Sequence, residues 1–181
     1  MEPAISEHIL LTPSASRVSS RVSQAVLADA AIALGSNLGD REANLRAAIV
    51  YLAELGPVTA VSSFYETAPV GYLDQPRFLN AAALLTTALP PLELLRALLA
   101  IEKKLGRDRS ATLPKGPRTL DLDLLLYDDL ILETDELTLP HPAMHERRFV
   151  LAPLAEIAPH RQHPLLHQSM QQLLDQLRNQ P

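Results

Sequence analysis

The chain has 181 residues, of which 47% are hydrophobic and 20% charged, an ordinary globular composition that predicts one well-buried domain. It contains no cysteine, which excludes disulfides and thiolate metal sites and fits a reducing, cytoplasmic location. The net charge is −5, yet residues 103–118 carry six basic residues and one acid. An acidic chain with one basic segment favours a small anionic ligand over nucleic acid, because a long polyanion would be repelled elsewhere. A solvated basic face is the simpler alternative.

Residues 1–27 are rich in serine and lack the apolar region of a signal peptide. We expect them to form a loose extension to a single domain over residues 28–181. The most apolar region, 78–101, is interrupted by polar residues and prolines and does not resemble a membrane span. We therefore expect no membrane partner. We also expect the chain to act as a monomer.

Hydrophobic periodicity predicts alternating strands and helices along the rest of the chain. Strands are predicted at 30–34, 58–65, 78–87 and 119–127, and helices at 41–55, 91–105, 147–154 and 169–178. Asp40 is the expected N-cap of the first helix, and Pro91 and Gly106 bound the second. The resulting β-α-β-β-α-β order is the split βαβ pattern of a ferredoxin-like α+β sandwich, with a mainly antiparallel sheet.

Two acidic side chains stand out in the last predicted strand. Asp121 and Asp123 alternate with leucines, so both carboxylates lie on one face, about 7 Å apart. Carboxylate oxygens at this spacing suit Mg²⁺, which completes its shell with water and substrate phosphates. Two ordinary carboxylates on a half-exposed strand are the alternative.

Arginines flank this strand and make the pattern more informative. Arg118 comes just before it, and Arg107 and Arg109 lie in the preceding basic loop. Carboxylates for a metal and arginines for phosphate oxygens are the minimum set for phosphoryl transfer, where positioning and charge neutralisation dominate catalysis. Alternatively, the arginines only pair with the two aspartates.

Four further features are less specific. His141 is held between two prolines and could donate a hydrogen bond to a phosphate, although a lone histidine is more often structural. Phenylalanines such as Phe78 and Phe149 pack in a protein core more often than they stack on a ligand. The glycine-rich stretch 35–39 lies between a strand and a helix but matches no phosphate-binding pattern, which favours a tight turn. The loop at 66–76 has a length typical of functional or disordered segments.

Taken together, these segments resemble the 6-hydroxymethyl-7,8-dihydropterin pyrophosphokinase family of folate biosynthesis. The resembling pieces stand in the family's order at residues 33–39 (ALGSNLG), 62–67 (SSFYET), 74–80 (DQPRFLN), 116–123 (GPRTLDLD), 140–142 (PHP) and 147–149 (RRF). The resemblance as a whole runs from about residue 31 to residue 159, and the GPRTLDLD string is highly specific. The resemblance implies a ferredoxin-like fold, in agreement with the predicted element order.

The resemblance also implies a reaction and a division of labour. The hydroxymethyl oxygen of the pterin would attack the β-phosphorus of ATP and release AMP. Asp121 and Asp123 would hold two Mg²⁺ ions and, with Arg107 and Arg118, form the catalytic set. Asp123 is the nearest candidate for a general base.

The two small-molecule substrates would be bound by two further sets of residues. The ATP site would comprise Glu102, Arg107, Arg109, Arg118, His141 and Arg147. The pterin site would comprise Thr67, Pro69, Val70, Phe78, Asn80 and Phe149, with the two rings on either side of the pterin.

Some positions depart from the family pattern. Lys115 stands where several members have a tryptophan, Ala68 replaces a proline, and Pro142 replaces an aromatic residue. These changes bear on closure of the loops over the substrates more than on the reaction type. Two other functions stay open: another Mg²⁺-dependent nucleotidyl or phosphoryl transferase, and a non-catalytic pterin- or nucleotide-binding module.

Overall fold

The computed structural model describes residues 26–107 and 116–179. The elements are β1 (Ala28–Ser36), α1 (Arg41–Leu52), β2 (Val58–Val61), β3 (Tyr65–Thr67), β4 (Phe78–Thr87), α2 (Pro91–Lys104), β5 (Asp121–Tyr127), β6 (Leu132–Glu133), β7 (Thr138–Leu139), a 3₁₀ turn (Met144–Glu146), α3 (Arg148–Ile157) and α4 (Met170–Arg178). The predicted order of strands and helices is therefore confirmed. The predicted extension at 1–27 falls almost entirely outside the described residues.

The main sheet has the strand order β2-β4-β1-β5, with β3 also paired to β4, and all of these pairings are antiparallel. Each βαβ unit is split by a strand of the other unit, because β4 lies between β1 and β2, and β1 lies between β4 and β5. The prediction of a ferredoxin-like α+β sandwich is thus confirmed. Strands β6 and β7 form a separate two-stranded sheet.

The predicted strand at 58–65 is wrong in one respect, since it is broken into β2 and β3. The cause is Ser62, whose hydroxyl accepts a hydrogen bond from the Ala82 backbone N–H at 2.9 Å and donates to the Ser63 carbonyl at 2.8 Å. These side-chain bonds compete with the regular strand ladder.

The predicted end of α1 is also too late. The helix starts as expected, with Asp40 accepting from the Ala43 backbone N–H at 3.0 Å, but it ends at Leu52 rather than residue 55. A turn follows and leads to Gly56, whose φ is +148°. A side chain there would put its Cβ 2.1 Å from the Thr86 carbonyl oxygen, so only glycine allows this close approach.

The two faces of the sheet are covered differently. Helices α1 and α2 cover one face and bury a continuous core that includes Ile32, Leu34, Leu45, Leu52, Leu85, Leu94 and Leu98. Helices α3 and α4 cover the other face through Val150, Leu151, Leu154, Met170 and Leu173, which pack on Ala31, Ala82, Leu125 and Leu126. Among the described helices, none is both long and apolar enough to span a membrane.

Candidate active site

The strand register places a row of side chains across the face of the sheet that bears α3. Tyr65 of β3 pairs with Asn80 of β4, Asn80 pairs with Gly35 of β1, and Gly35 pairs with Asp121 of β5. Asn80, Gly35 and Asp121 line one pocket at this level of the sheet. A Cβ built on Gly35 would lie 3.1 Å from Asn80 Oδ1, so the glycine leaves open space in the floor of this pocket.

Most of the predicted site residues line this pocket. They are Thr67, Val70, Phe78, Asn80, Arg118, Asp121, Asp123 and Phe149. Pro69 is not among the lining residues, although its neighbours Ala68 and Val70 are. Gly35 and Gln75 also line the pocket and were missed, but period-two alternation from Ala33 could have flagged Gly35.

The two aspartates have different surroundings. Asp121 forms ion pairs with Arg107 and, at 3.2 Å, with Arg118. The alternative in which the arginines pair with aspartates therefore describes Asp121. Burial, and then the nearby charge of Asp121, raises the pKa of Asp123 to about 6 despite the opposing effect of Arg118 and Arg147. A cation beside Asp123 would relieve this penalty, because it favours the charged carboxylate.

His141 and Arg147 lie next to the pocket rather than in its lining. The His141 backbone N–H donates to the Leu125 carbonyl at 2.9 Å, and its Nδ1 accepts from the Ala143 backbone N–H at 3.2 Å. Burial, and then the charge of Arg147, lowers the pKa of His141 below its usual value. At neutral pH the ring is thus neutral and carries its proton on Nε2, which can donate to a phosphate oxygen.

Glu102 lies behind β5 rather than in the pocket. Its carboxylate accepts from the Leu122 backbone N–H at 2.8 Å and from Arg107 Nη1 at 2.5 Å, and its side chain is only 1% exposed. Arg109 and Lys115 lie outside the part of the chain that the structure describes.

Asn37 supports two loops at the edge of the pocket and was not predicted. Its Nδ2 donates to Gln75 Oε1 at 3.0 Å and to the Pro76 carbonyl at 3.2 Å, while its Oδ1 accepts from the Arg118 backbone N–H at 2.7 Å. The stretch at 35–39 therefore forms the expected turn, and that turn joins the loop at 68–77 to the segment before β5.

The donor set fits a hard divalent cation. Within residues 26–107 and 116–179, no three histidine or acidic side chains converge as a metal site. A cation at Asp121 and Asp123 would therefore complete its shell with water and ligand oxygens, which is the arrangement that Mg²⁺ favours.

Comparison with known proteins identifies the family. A sequence model described as 7,8-dihydro-6-hydroxymethylpterin-pyrophosphokinase (HPPK) matches residues 31–159. The chain belongs to the HPPK family. It is therefore an enzyme that transfers diphosphate, and the resemblance seen in the sequence is confirmed.

The relatives of this HPPK domain include both short and long proteins. It is 56% identical over 128 residues to the 2-amino-4-hydroxy-6-hydroxymethyldihydropteridine pyrophosphokinase of Bacillus subtilis, covering 70% of this chain and 75% of that protein. It is 42% identical over 151 residues to the folic acid synthesis protein fol1 of Schizosaccharomyces pombe, covering 82% of this chain but only 20% of that protein.

A solved structure shares the HPPK fold. The wild-type HPPK-DHPS of Plasmodium falciparum with pteroate aligns with a TM-score of 0.66 at 16% identity, covering 83% of this chain and 42% of that one. At this identity the match supports the fold alone. The placement of Asn80, Gly35 and Asp121 on one face follows from the strand pairing in this chain.

Proposed function

We propose that this HPPK domain transfers pyrophosphate from ATP to the hydroxymethyl group of 6-hydroxymethyl-7,8-dihydropterin and releases AMP. The observation that carries the proposal is one pocket lined by two aromatic rings, Phe78 and Phe149, together with the carboxylates of Asp121 and Asp123. A flat heterocycle between rings places its substituent beside groups suited to a metal-bound triphosphate. We propose further that the domain spans residues 28–181 and acts as a monomer in the cytoplasm.

The aromatic end of the pocket has the chemistry to bind a pterin. Phe78 and Phe149 offer ring faces for stacking, a contact worth about 1–3 kcal/mol per base in comparable sites. Asn80 Nδ2 donates to Thr67 Oγ1 at 2.8 Å, so the orientation of its amide is fixed. Its Oδ1, beside Gly35, is thus left to accept a hydrogen bond from the pterin edge. Val70 lines the pocket from the loop that also contains Pro69, and we assign both to the pterin site.

The carboxylate end has the chemistry to bind a triphosphate. Asp121 and Asp123 would hold two Mg²⁺ ions, whose contribution when bound is to neutralise charge on the phosphates. Arg118 and Arg107, already gathered at Asp121, would contact phosphate oxygens. We assign the same role to Arg147, to Arg109 and to the Nε2–H of His141.

Catalysis in this arrangement rests on positioning. The hydroxyl oxygen of the stacked pterin is held in line with the β-phosphorus, and the arginines stabilise the charge that develops as AMP leaves. Asp123 is the nearest candidate to accept the hydroxyl proton, because it lines the pocket and a bound cation would favour its charged form.

The test is a product assay with the full chain. The protein is incubated with ATP, Mg²⁺ and 6-hydroxymethyl-7,8-dihydropterin, and the nucleotides are separated by chromatography. We expect AMP only when metal and pterin are both present, with EDTA and pterin-free samples as controls. ADP would instead indicate a simple kinase, and unchanged ATP would indicate a binding module; either outcome contradicts the proposal.

A further inference from the structure

The end of α2 delivers Arg107 to the site by a specific backbone turn. Gly106 has a φ of +88°, its N–H donates to the Lys103 carbonyl at 3.1 Å, and the Arg107 N–H donates to the Glu102 carbonyl at 3.0 Å. This pair of bonds around a left-handed residue defines a Schellman motif. The motif fixes the direction in which the chain leaves the helix at Arg107.

The motif also brings the side chains of Glu102 and Arg107 together. A hydrophobic contact usually joins these two positions in a Schellman motif. Here an ion pair takes its place, with Arg107 Nη1 2.5 Å from Glu102 Oε1 and side-chain exposures of 12% and 1%. Arg107 Nη1 also pairs with Asp121, so the helix end aims one guanidinium at the candidate metal carboxylates.

Glu102 has a second contact at the same carboxylates. Its Oε1 accepts from the backbone N–H of Leu122, the residue between Asp121 and Asp123. Among the described strands of the main sheet, β5 is the outer one and pairs only with β1. Glu102 therefore binds the open edge of β5 at the point that sets the spacing of the two carboxylates.

An acid at this position is otherwise unfavourable. It is buried, it lies in the last turn of a helix where the macrodipole disfavours negative charge, and it is close to a site for a polyanion. A direct contact with the nucleotide does not account for an acid at this position. The Glu102 side chain is only 1% exposed and therefore has almost no surface to offer a ligand.

We infer that Glu102 is a positioning residue that acts through Arg107 and the β5 edge and does not contact the nucleotide. This role replaces the ATP contact that the family resemblance implies, and it rests on the proposed function. Side chains that orient directly acting groups typically change activity by about 10- to 100-fold when removed.

A double-mutant cycle tests the inference. Glu102→Gln keeps an acceptor for Leu122 but removes the charge that holds Arg107, and we expect it to lower kcat/KM for ATP about 10- to 100-fold. The KM for the pterin should stay within about threefold, since the aromatic end is untouched. In the Arg107→Ala background, Glu102→Gln should have little further effect, because the side chain through which Glu102 acts is already absent. Losses that multiply in the double variant would show an independent role and overturn the inference, as would full activity of Glu102→Gln or of Arg107→Ala.

The turn itself provides a second, matched test. No atom of the residues that the structure describes lies within 4 Å of a Cβ built on Gly106, so substitutions there are chosen to change the backbone preference rather than the packing. Asn tolerates the left-handed conformation and β-branched Val does not. We expect Gly106→Asn to retain activity and Gly106→Val to lose kcat/KM for ATP at least tenfold with an unchanged pterin KM. Equal activity of the two variants, at equal melting temperature, would overturn the inference. AMP formation by the unmodified chain, measured first, separates this outcome from failure of the proposed function.

Discussion

The same face of the same three strands is closed at one end and open at the other. At the closed end Ala31, Ala82 and Leu125 lie under α3 and α4 in a continuous core. Further along the strands, Gly35, Asn80 and Asp121 line the pocket. The strand geometry is equivalent at both ends, so the difference lies in where the covering helices stop. The polar side chains of Asn80 and Asp121 at inward-facing strand positions thus mark where the covering helices end, and a bound ligand would cover the rest of this face.

This contrast predicts that substitutions at the two ends fail in different ways. The closed end, like the core under α1 and α2, should lose stability, whereas the open end should lose activity. A substitution below that changed stability and activity together would contradict this prediction.

The largest expected effect is at Asp123. We expect Asp123→Asn to lower kcat by at least about 10³-fold, because a metal ligand and candidate base is lost. The raised pKa means that the folded state favours the protonated form, so this group's contribution to stability is lost as pH rises from 3.8, its ordinary pKa, to about 6. The neutral variant should therefore melt no lower than the unmodified protein at pH 7.5 in EDTA. The control Leu45→Ala, at a fully buried position, should cost about 2–5 kcal/mol of stability with near-normal kcat.

The next effect is at Phe149. We expect Phe149→Ala to raise the KM for the pterin about 10- to 100-fold, since one stacking face is lost, with the KM for ATP within about threefold. Phe64→Ala is the matched control, because this ring packs in the core under α1 and α2 and against Arg46. It should lower the melting temperature without changing either KM. Equal losses for both substrates in Phe149→Ala would mean simple packing.

A smaller effect sharpens the boundary at the floor of the pocket. Gly35 lies in a strand and needs no left-handed conformation, but an added Cβ would approach Asn80 Oδ1 to 3.1 Å and occupy ligand space. We expect Gly35→Ala to raise the pterin KM by about 3- to 10-fold, or about 1 kcal/mol, with little change in melting temperature. Gly39→Ala is the converse control. Gly39 has a φ of +66° and open space around it, so stability should fall while the KM stays unchanged.

The smallest effect lies where α3 is fastened to the sheet. Glu156 accepts hydrogen bonds from Tyr65 at 2.7 Å and from Ser63, and these bonds lower its pKa. A lowered pKa gives stability that is present at neutral pH and lost as pH falls through the folded-state pKa. We expect Glu156→Gln to melt about 1–4 °C lower at pH 7, a small effect because the carboxylate is exposed. Near pH 3 the variant should match the unmodified protein, because Glu156 is then protonated and uncharged. A difference that persists at pH 3 would mean that charge is not the cause.

Local patterns were enough to predict much of the fold. The apolar runs of β1 and β4, the Asp40 cap and the Pro91 and Gly106 boundaries of α2 all depend on neighbouring residues and were predicted correctly. The pairing of Asp121 and Asp123 on one face followed from strand alternation. Roles for Phe149 and Asn80 came only from the family resemblance and stay predictions.

The features that were missed depend on contacts between distant parts of the chain. Asn37 holds loops nearly 40 and about 80 positions away, and no local pattern distinguishes it from an ordinary turn residue. The break at Ser62 depends on its bond to Ala82. The hydrogen bond that Glu102 accepts similarly depends on Leu122, which lies on another element.

The irregularity in β5 has a consequence for changes in chain length. Ala31 pairs with Leu126 and Ile32 with Leu124, so Leu125 is an extra residue, and Leu125 and Leu126 both face α3 and α4. Deleting one residue from a regular strand turns every later side chain to the wrong face. Deleting one of these leucines would instead restore simple alternation, with Asp123 and Tyr127 each on the face it now occupies. We expect such a deletion to remain folded, which a melting curve would check, so this strand contains one point at which the chain can be shortened.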